Sequence, residues 1–226
     1  MNSLALFDID NTLIRSSNAH RSAFITGIKK VYGIDTDYTG FSPQGMTDPQ
    51  IIFEILKRTG INEYTINAGL EECMNAIIGT FAESVEDEKL IVLTGVRSLL
   101  QELKDLSVFM GLVTGNLEPI ARVKLKLTRL NDYFKIGGFG SDDSDRTNLV
   151  RIAVNRAEAD YNFKNNSNVF LFGDTPKDIK AGKEAGVTAI GVATGMFLKE
   201  ALAKAGADFI FENLEDKQSI IAVLAA

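Results

Sequence analysis

The chain has almost no sulfur or imidazole chemistry to offer: among 226 residues there is one cysteine, Cys73, and one histidine, His20. A lone cysteine excludes an intramolecular disulfide and a thiolate zinc site, which fits a reducing compartment. A lone histidine excludes His-rich metal sites and makes a Ser-His-Asp triad hard to build. With only 4 prolines there is little room for an extended or disordered arm. Positive charge is also short. Lysine and arginine number 24 against 30 aspartates and glutamates, a net charge of −6, so no basic field exists to gather a nucleic-acid backbone. No apolar run reaches the roughly 18 residues of a membrane span. The apolar start Leu4 to Phe7 lacks a basic leader and is cut short by Asp8, so it does not read as a signal peptide, and a cytoplasmic location is expected.

What remains is an ordinary globular composition, 45% hydrophobic and 24% charged. At roughly 150 residues per domain, the length suits one large domain or a compact domain carrying an insertion. Leu4 to Phe7 reads as a buried strand entering a polar turn. From Ser16 to Glu88 apolar residues recur at helical spacing, as at Ala19, Ala23, Phe24 and Ile28, and again at Ile51, Ile52, Ile55 and Leu56. The acidic run Glu83 to Lys89 serves as a return linker. Beyond it strands and helices alternate. Strands are predicted at Val108 to Val113, Ile136 to Phe139, Val169 to Phe172, Ala189 to Val192 and Asp208 to Phe211. Helices are predicted at Val96 to Leu106, Ile120 to Leu130, Thr147 to Ala159, Asp178 to Ala185 and Lys199 to Ala205. Short, non-alternating apolar strands between helices imply a parallel sheet covered on both faces. The expected architecture is α/β: a core of residues 1–15 and 89–226, and an all-helical insertion of residues 16–88.

Three of these strands end in polar turns: Asp8-Ile9-Asp10-Asn11-Thr12, Thr114-Gly115-Asn116 and Gly173-Asp174-Thr175-Pro176-Lys177-Asp178. Ligands of open α/β sheets bind at those carboxyl ends. Asp8, Asp10, Asp174 and Asp178 converging there need a cation, and hard oxygen ligands suit Mg²⁺ better than zinc. A carboxylate beside that ion can attack phosphorus and form an acyl phosphate. Thr114, with the amides of Gly115 and Asn116 opening a helix, offers donors to phosphoryl oxygens. Arg146, just ahead of its helix, is the candidate cation to complete the neutralisation.

Taken in order, the three strings resemble motifs one, two and four of the haloacid dehalogenase superfamily, over essentially the whole chain. The resemblance implies a Rossmann-like core whose helical insertion is a cap like those of phosphoglycolate phosphatases and phosphoglucomutases. It implies roles as well: Asp8 as nucleophile and metal ligand, Asp10 as acid/base and backbone ligand, Asp174 as a further ligand, and Asp178 as a second acid supporting the metal. Where the third motif usually has lysine, the segment Gly140 to Thr147 offers Arg146, as some members do. Hydrolytic dehalogenases lack the second acid, here Asp10, so phosphoryl chemistry is favoured over carbon–halogen cleavage.

The expectation is therefore a Mg²⁺-dependent phosphatase of a small phosphorylated metabolite, with a phosphomutase as the nearest alternative and a non-catalytic or signalling phospho-aspartate module as a remoter one. No nucleic-acid or membrane partner is expected. Gln44 to Asp48 lies between insertion helices, where the family places substrate-facing residues. His20 reads as a surface residue of the insertion and Cys73 as core packing. Arg122, Lys124, Lys126 and Arg129 read as a solvated helix face.

Overall fold

The computed structural model describes residues 3–15, 18–37, 40–85, 89–161, 163–164 and 168–225. Its centre is a sheet in the order β5-β4-β1-β6-β7-β8, built from β1 (Leu4–Phe7), β4 (Phe109–Thr114), β5 (Ile136–Phe139), β6 (Val169–Gly173), β7 (Thr188–Val192) and β8 (Phe209–Phe211). Every pairing in it is parallel. The sheet is α/β and Rossmann-like, as expected. Its strands are apolar throughout because both faces are covered. In β1, Ala5 and Phe7 join one buried cluster, and Leu4 and Leu6 join another on the opposite face.

Helix α4 (Val96–Asp105) contributes Val96, Leu99, Leu100 and Leu103 to the first cluster, an i, i+3, i+4, i+7 stripe. The C-terminal helix α9 (Lys217–Ala225), absent from the elements expected from sequence, adds Ile220 and Leu224 to that face. Helices α6 (Arg146–Tyr161) and α7 (Pro176–Ala185) cover the other face through Leu149, Val150, Ala153 and Ala181. Helix α7 starts at Pro176 rather than at Asp178. Thr175 and Asp178 form a reciprocal capping box, and proline suits the first helical turn.

Between β1 and α4 the chain forms α1 (Ala19–Tyr32), α2 (Asp48–Arg58) and α3 (Glu63–Ser84). These helices share their own apolar cluster, with Phe24, Ile52, Ile55, Cys73, Ile77 and Phe81. Leu117 and Ile120 join it, the second from α5 (Glu118–Leu127), so the helical insertion rests on the second sheet-end loop and its helix. The insertion leaves and returns beside an antiparallel pair, β2 (Ile14–Arg15) with β3 (Ile91–Val92), which the sequence reading missed because each strand is two residues long. The expected boundary positions 16 and 88 lie outside the described residues, as does the middle of the acidic run, 86–88.

Candidate active site

The carboxyl ends of β1, β4 and β6 place the three motif turns side by side, because register aligns Phe7 with both Leu112 and Phe172. Beneath the site Phe7 stacks on Phe172, with ring centroids 4.6 Å apart. Asp8 continues the ladder, its amide donating to Phe172 O at 2.9 Å. Asn11 then takes the left-handed conformation (φ 61°), as Asn does at low cost, and its amide bonds Ile14 O at 2.7 Å. That tight turn points the Asp10 side chain, 27% exposed, into a cleft of about 500 Å³.

Asp8, Asp174 and Asp178 are all buried, and each offers an oxygen within 4.8 Å of the others. Arg146, the first residue of α6, enters the group with its side chain 9% exposed. Its Nη2 donates to Asp8 Oδ1 at 2.6 Å, and its Nε donates to Asp178 Oδ1 at 2.7 Å. The other oxygen of Asp178 accepts from the Thr175 amide and hydroxyl at 3.0 and 2.7 Å. Asp178 therefore caps its helix and anchors the arginine at once. Asp174 has no hydrogen-bond donor among the described residues and packs over Gly195, where an added Cβ would sit 1.8 Å from Asp174 Oδ2.

One guanidinium does not balance three buried carboxylates. Burial pushes the Asp8 carboxyl up to about 7, against the pull of Arg146 and with a further push from Asp178 and Asp10. Burial, then Asp178 and Asp8, push Asp174 up to about 9. For Arg146 burial alone would weaken the cation, but Asp178 and Asp8 outweigh it and hold the guanidinium above its ordinary value. This surplus of negative charge, presented on carboxylate oxygens alone, fits a hard divalent cation such as Mg²⁺.

The second motif is arranged differently from the sequence expectation. Helix α5 opens at Glu118, so the amides of Gly115 and Asn116 precede it. The Asn116 amide lies 3.3 Å from Thr114 Oγ1, and the Leu117 amide donates to Asp48 Oδ2 at 2.8 Å. Asn116 works through its side chain, donating to Asp10 Oδ2 at 2.7 Å and to Thr114 Oγ1 at 2.9 Å. Thr114 is fully buried, while Gly115 and Asn116 line the cleft.

Across the cleft the segment Gln44 to Asp48 does face the site, with Gln44, Gly45, Met46 and Asp48 on the wall. Asp48 N donates to Gly115 O at 2.7 Å. A side chain on residue 115 would meet Met46 O at 2.3 Å, so only glycine permits this seating.

Two residues depart from their sequence readings. Lys124 is fully buried rather than on a solvated face: it donates to both oxygens of Asp10 at 2.8 Å and to Asn116 Oδ1 at 2.6 Å. Lys126 and Arg129 are exposed, as read, whereas Arg122 is half-buried and donates to Phe134 O at 2.8 Å. His20 is not on the surface of the insertion either, but packs against Phe24 and Phe81 and lines the cleft. The signal for Lys124 lay in helical spacing, since Leu117, Ile120, Ala121, Leu125 and Thr128 form the buried stripe into which it falls. Cys73 is buried core packing, its thiol pushed up to about 12 by burial.

A model of the haloacid dehalogenase-like hydrolases matches residues 5–192, most of the chain and all of these turns. The chain belongs to that family. A pyrophosphatase PpaX from Anoxybacillus flavithermus is 26% identical over 220 residues, 96% of each chain. Among solved structures, a hydrolase from Pseudomonas syringae superposes with a TM-score of 0.73 at 19% identity, covering 99% of this chain and 100% of its own. CbbY from Rhodobacter sphaeroides, solved in complex with phosphate, gives 0.72 at 15% identity over 96% of each chain. No described helix of this haloacid dehalogenase-like hydrolase is long and apolar enough to cross a membrane.

Proposed function

We propose that the protein is a Mg²⁺-dependent, cytoplasmic phosphatase of small organic phosphate monoesters, acting through a phosphorylated Asp8 with residues 16–88 as its cap. The observation that carries this reading is Arg146 bridging Asp8 and Asp178 within a three-acid group, with Asp10 at the cleft beside them. Asp8, Asp174 and the Asp10 backbone carbonyl would hold the ion, with Asp178 supporting it from behind Arg146. When bound, Mg²⁺ offsets charge on the phosphoryl oxygens and the nucleophile.

Asp8 attacks phosphorus, the P–O bond to the leaving group breaks, and Asp10 gives the departing oxygen its proton. Water then attacks the phosphorus of phospho-Asp8, Asp10 takes a proton from it, and the P–O bond to Asp8 breaks to release phosphate. Arg146 is held on Asp8 by Asp178 and neutralises charge as it builds. The Thr114 hydroxyl accepts from Asn116 and keeps its own proton to donate to a phosphoryl oxygen, with Gly115 beside it.

A relative named a pyrophosphatase raises a second substrate. The wall opposite the acids favours the monoester, because Phe24, Phe41, Pro43, Met46 and Ile51 present apolar surface where a second phosphate would need donors. Among the described lining residues that wall carries one cation, Arg21. The deciding experiment is phosphate release from sugar phosphates, phosphoglycolate, nucleotides, phosphoamino acids and pyrophosphate, with and without Mg²⁺. Turnover of a monoester above pyrophosphate, only with the metal, is expected. Preference for pyrophosphate would overturn the substrate class, and full turnover without metal would overturn the mechanism.

A further inference from the structure

Lys124 has no part in the chemistry above, although its ammonium group is fully buried on α5. Apart from Asp10 and Asn116 it meets His20 Nδ1 at 3.2 Å. Asn116 closes a triangle by donating to Asp10 Oδ2. Beyond His20, its Nε2 lies 3.2 Å from Asp48 Oδ2 without a hydrogen bond between them.

Packing gives no reason for a lysine here. Its neighbours on the helix stripe are apolar apart from Thr128, and burying an ammonium group carries a desolvation cost that only specific partners offset. The partner that explains it is Asp10, whose carboxylate stands at the cleft wall, where a short side chain could otherwise turn away.

We propose that Lys124 is the positioning residue for Asp10. It fixes the carboxylate by bonding both oxygens. The inference rests on Asp10 being the proton-transfer group of the proposed reaction. It is separate from the role of Arg146, which holds Asp8 and Asp178.

The test compares wild type, Lys124→Met, Asp10→Asn and the double variant on glycerol phosphate and p-nitrophenyl phosphate with Mg²⁺. Methionine nearly matches lysine in length and suits the stripe, but it leaves Asp10 and Asn116 Oδ1 without their donor, so the Tm of Lys124→Met should fall while the variant stays folded. On glycerol phosphate kcat should fall about 10- to 100-fold with KM little changed, the scale of a misplaced catalytic group. Nitrophenolate leaves without a proton, so p-nitrophenyl phosphate should give a rapid burst followed by slow hydrolysis of phospho-Asp8, for which Asp10 is still needed as base. In the Asp10→Asn background the lysine change should add little. Equal losses on both substrates without a burst, or a rise in KM alone, or an additive double variant would overturn the proposal.

Should Lys124→Met not fold, Lys124→Gln is read by the same criteria. A crystal structure of the folded variant tests the proposal independently of turnover, and so separates its failure from that of the phosphatase reading. The Asp10 carboxylate should be displaced while Asp8 and Arg146 stay. An unmoved Asp10 would overturn the proposal even if the wild type proved inert on phosphate esters.

Discussion

Arg146 reaches across 138 positions of sequence to donate to Asp8 at 2.6 Å. The same guanidinium is held from behind by Asp178. Arg146→Ala should therefore lower kcat by about 10² to 10³, the scale for one preorganised donor. Arg146→Lys should recover part of that loss, since charge survives but the planar fork does not. Arg151 is exposed and donates to Asn148 at 3.1 Å, and Arg156 pairs with Asp142 at 2.8 Å. Arg151→Ala should change kcat only slightly. Steady-state kinetics at saturating substrate, with circular dichroism to check the fold, decide the matter. Near-normal turnover in Arg146→Ala would remove the cation from its assigned place.

Asp10→Asn keeps the shape of the side chain but loses the carboxyl group that gives and takes the proton. Turnover of an alkyl phosphate should fall by about 10² to 10⁴, the usual range for general acid–base assistance. A loss under about tenfold, measured on a folded variant, would contradict the role given to Asp10.

Removing the metal should abolish turnover of p-nitrophenyl phosphate in EDTA, and added Mg²⁺ should restore it. Ca²⁺ should inhibit, because its larger, looser coordination tolerates bidentate carboxylates and would spoil the attack angle of Asp8. Undiminished activity in the chelator would contradict the assignment of Asp8 and Asp174.

Stability without metal should depend on pH in a direction set by the same acids. Asp8 and Asp174 titrate at about 7 and about 9 in the fold, against 3.8 ordinarily. The folded state thus binds these protons more tightly than the unfolded chain. That contribution is fully present below pH 3.8 and is lost as pH rises through the folded values. In EDTA the Tm should fall between roughly pH 5 and pH 9, and Mg²⁺ should raise it most at the alkaline end. A Tm that climbs over this range in EDTA would contradict the charge imbalance.

The sheet and its three polar turns were legible because each is a contiguous string. A strand buried on both faces is a short apolar run, and the turn that ends it follows at once. Arg146 was harder, since Lys135, Arg151 and Arg156 stood nearby, and its place at the start of α6 singled it out. Lys124 was not read correctly: its partner Asp10 is 114 positions away, and a lysine among basic neighbours on a helix is usually solvated. The helical stripe that contains it was the available clue. His20 was misplaced for the same reason, because its contacts with Lys124 and Asp48 come from separate elements. The β2–β3 pair has two residues in each strand, too few for any alternation to show.

The most direct measurement is rapid-quench mass spectrometry of the protein mixed with Mg²⁺ and a turned-over phosphate monoester. One phosphoryl group is expected on the peptide that contains Asp8, accumulating further in Asp10→Asn when the substrate is p-nitrophenyl phosphate, whose leaving group needs no proton, and absent in Asp8→Asn, which should neither turn over nor label. Sustained turnover in Asp8→Asn, or a phosphoryl group on any other residue, would contradict phosphoryl transfer through Asp8.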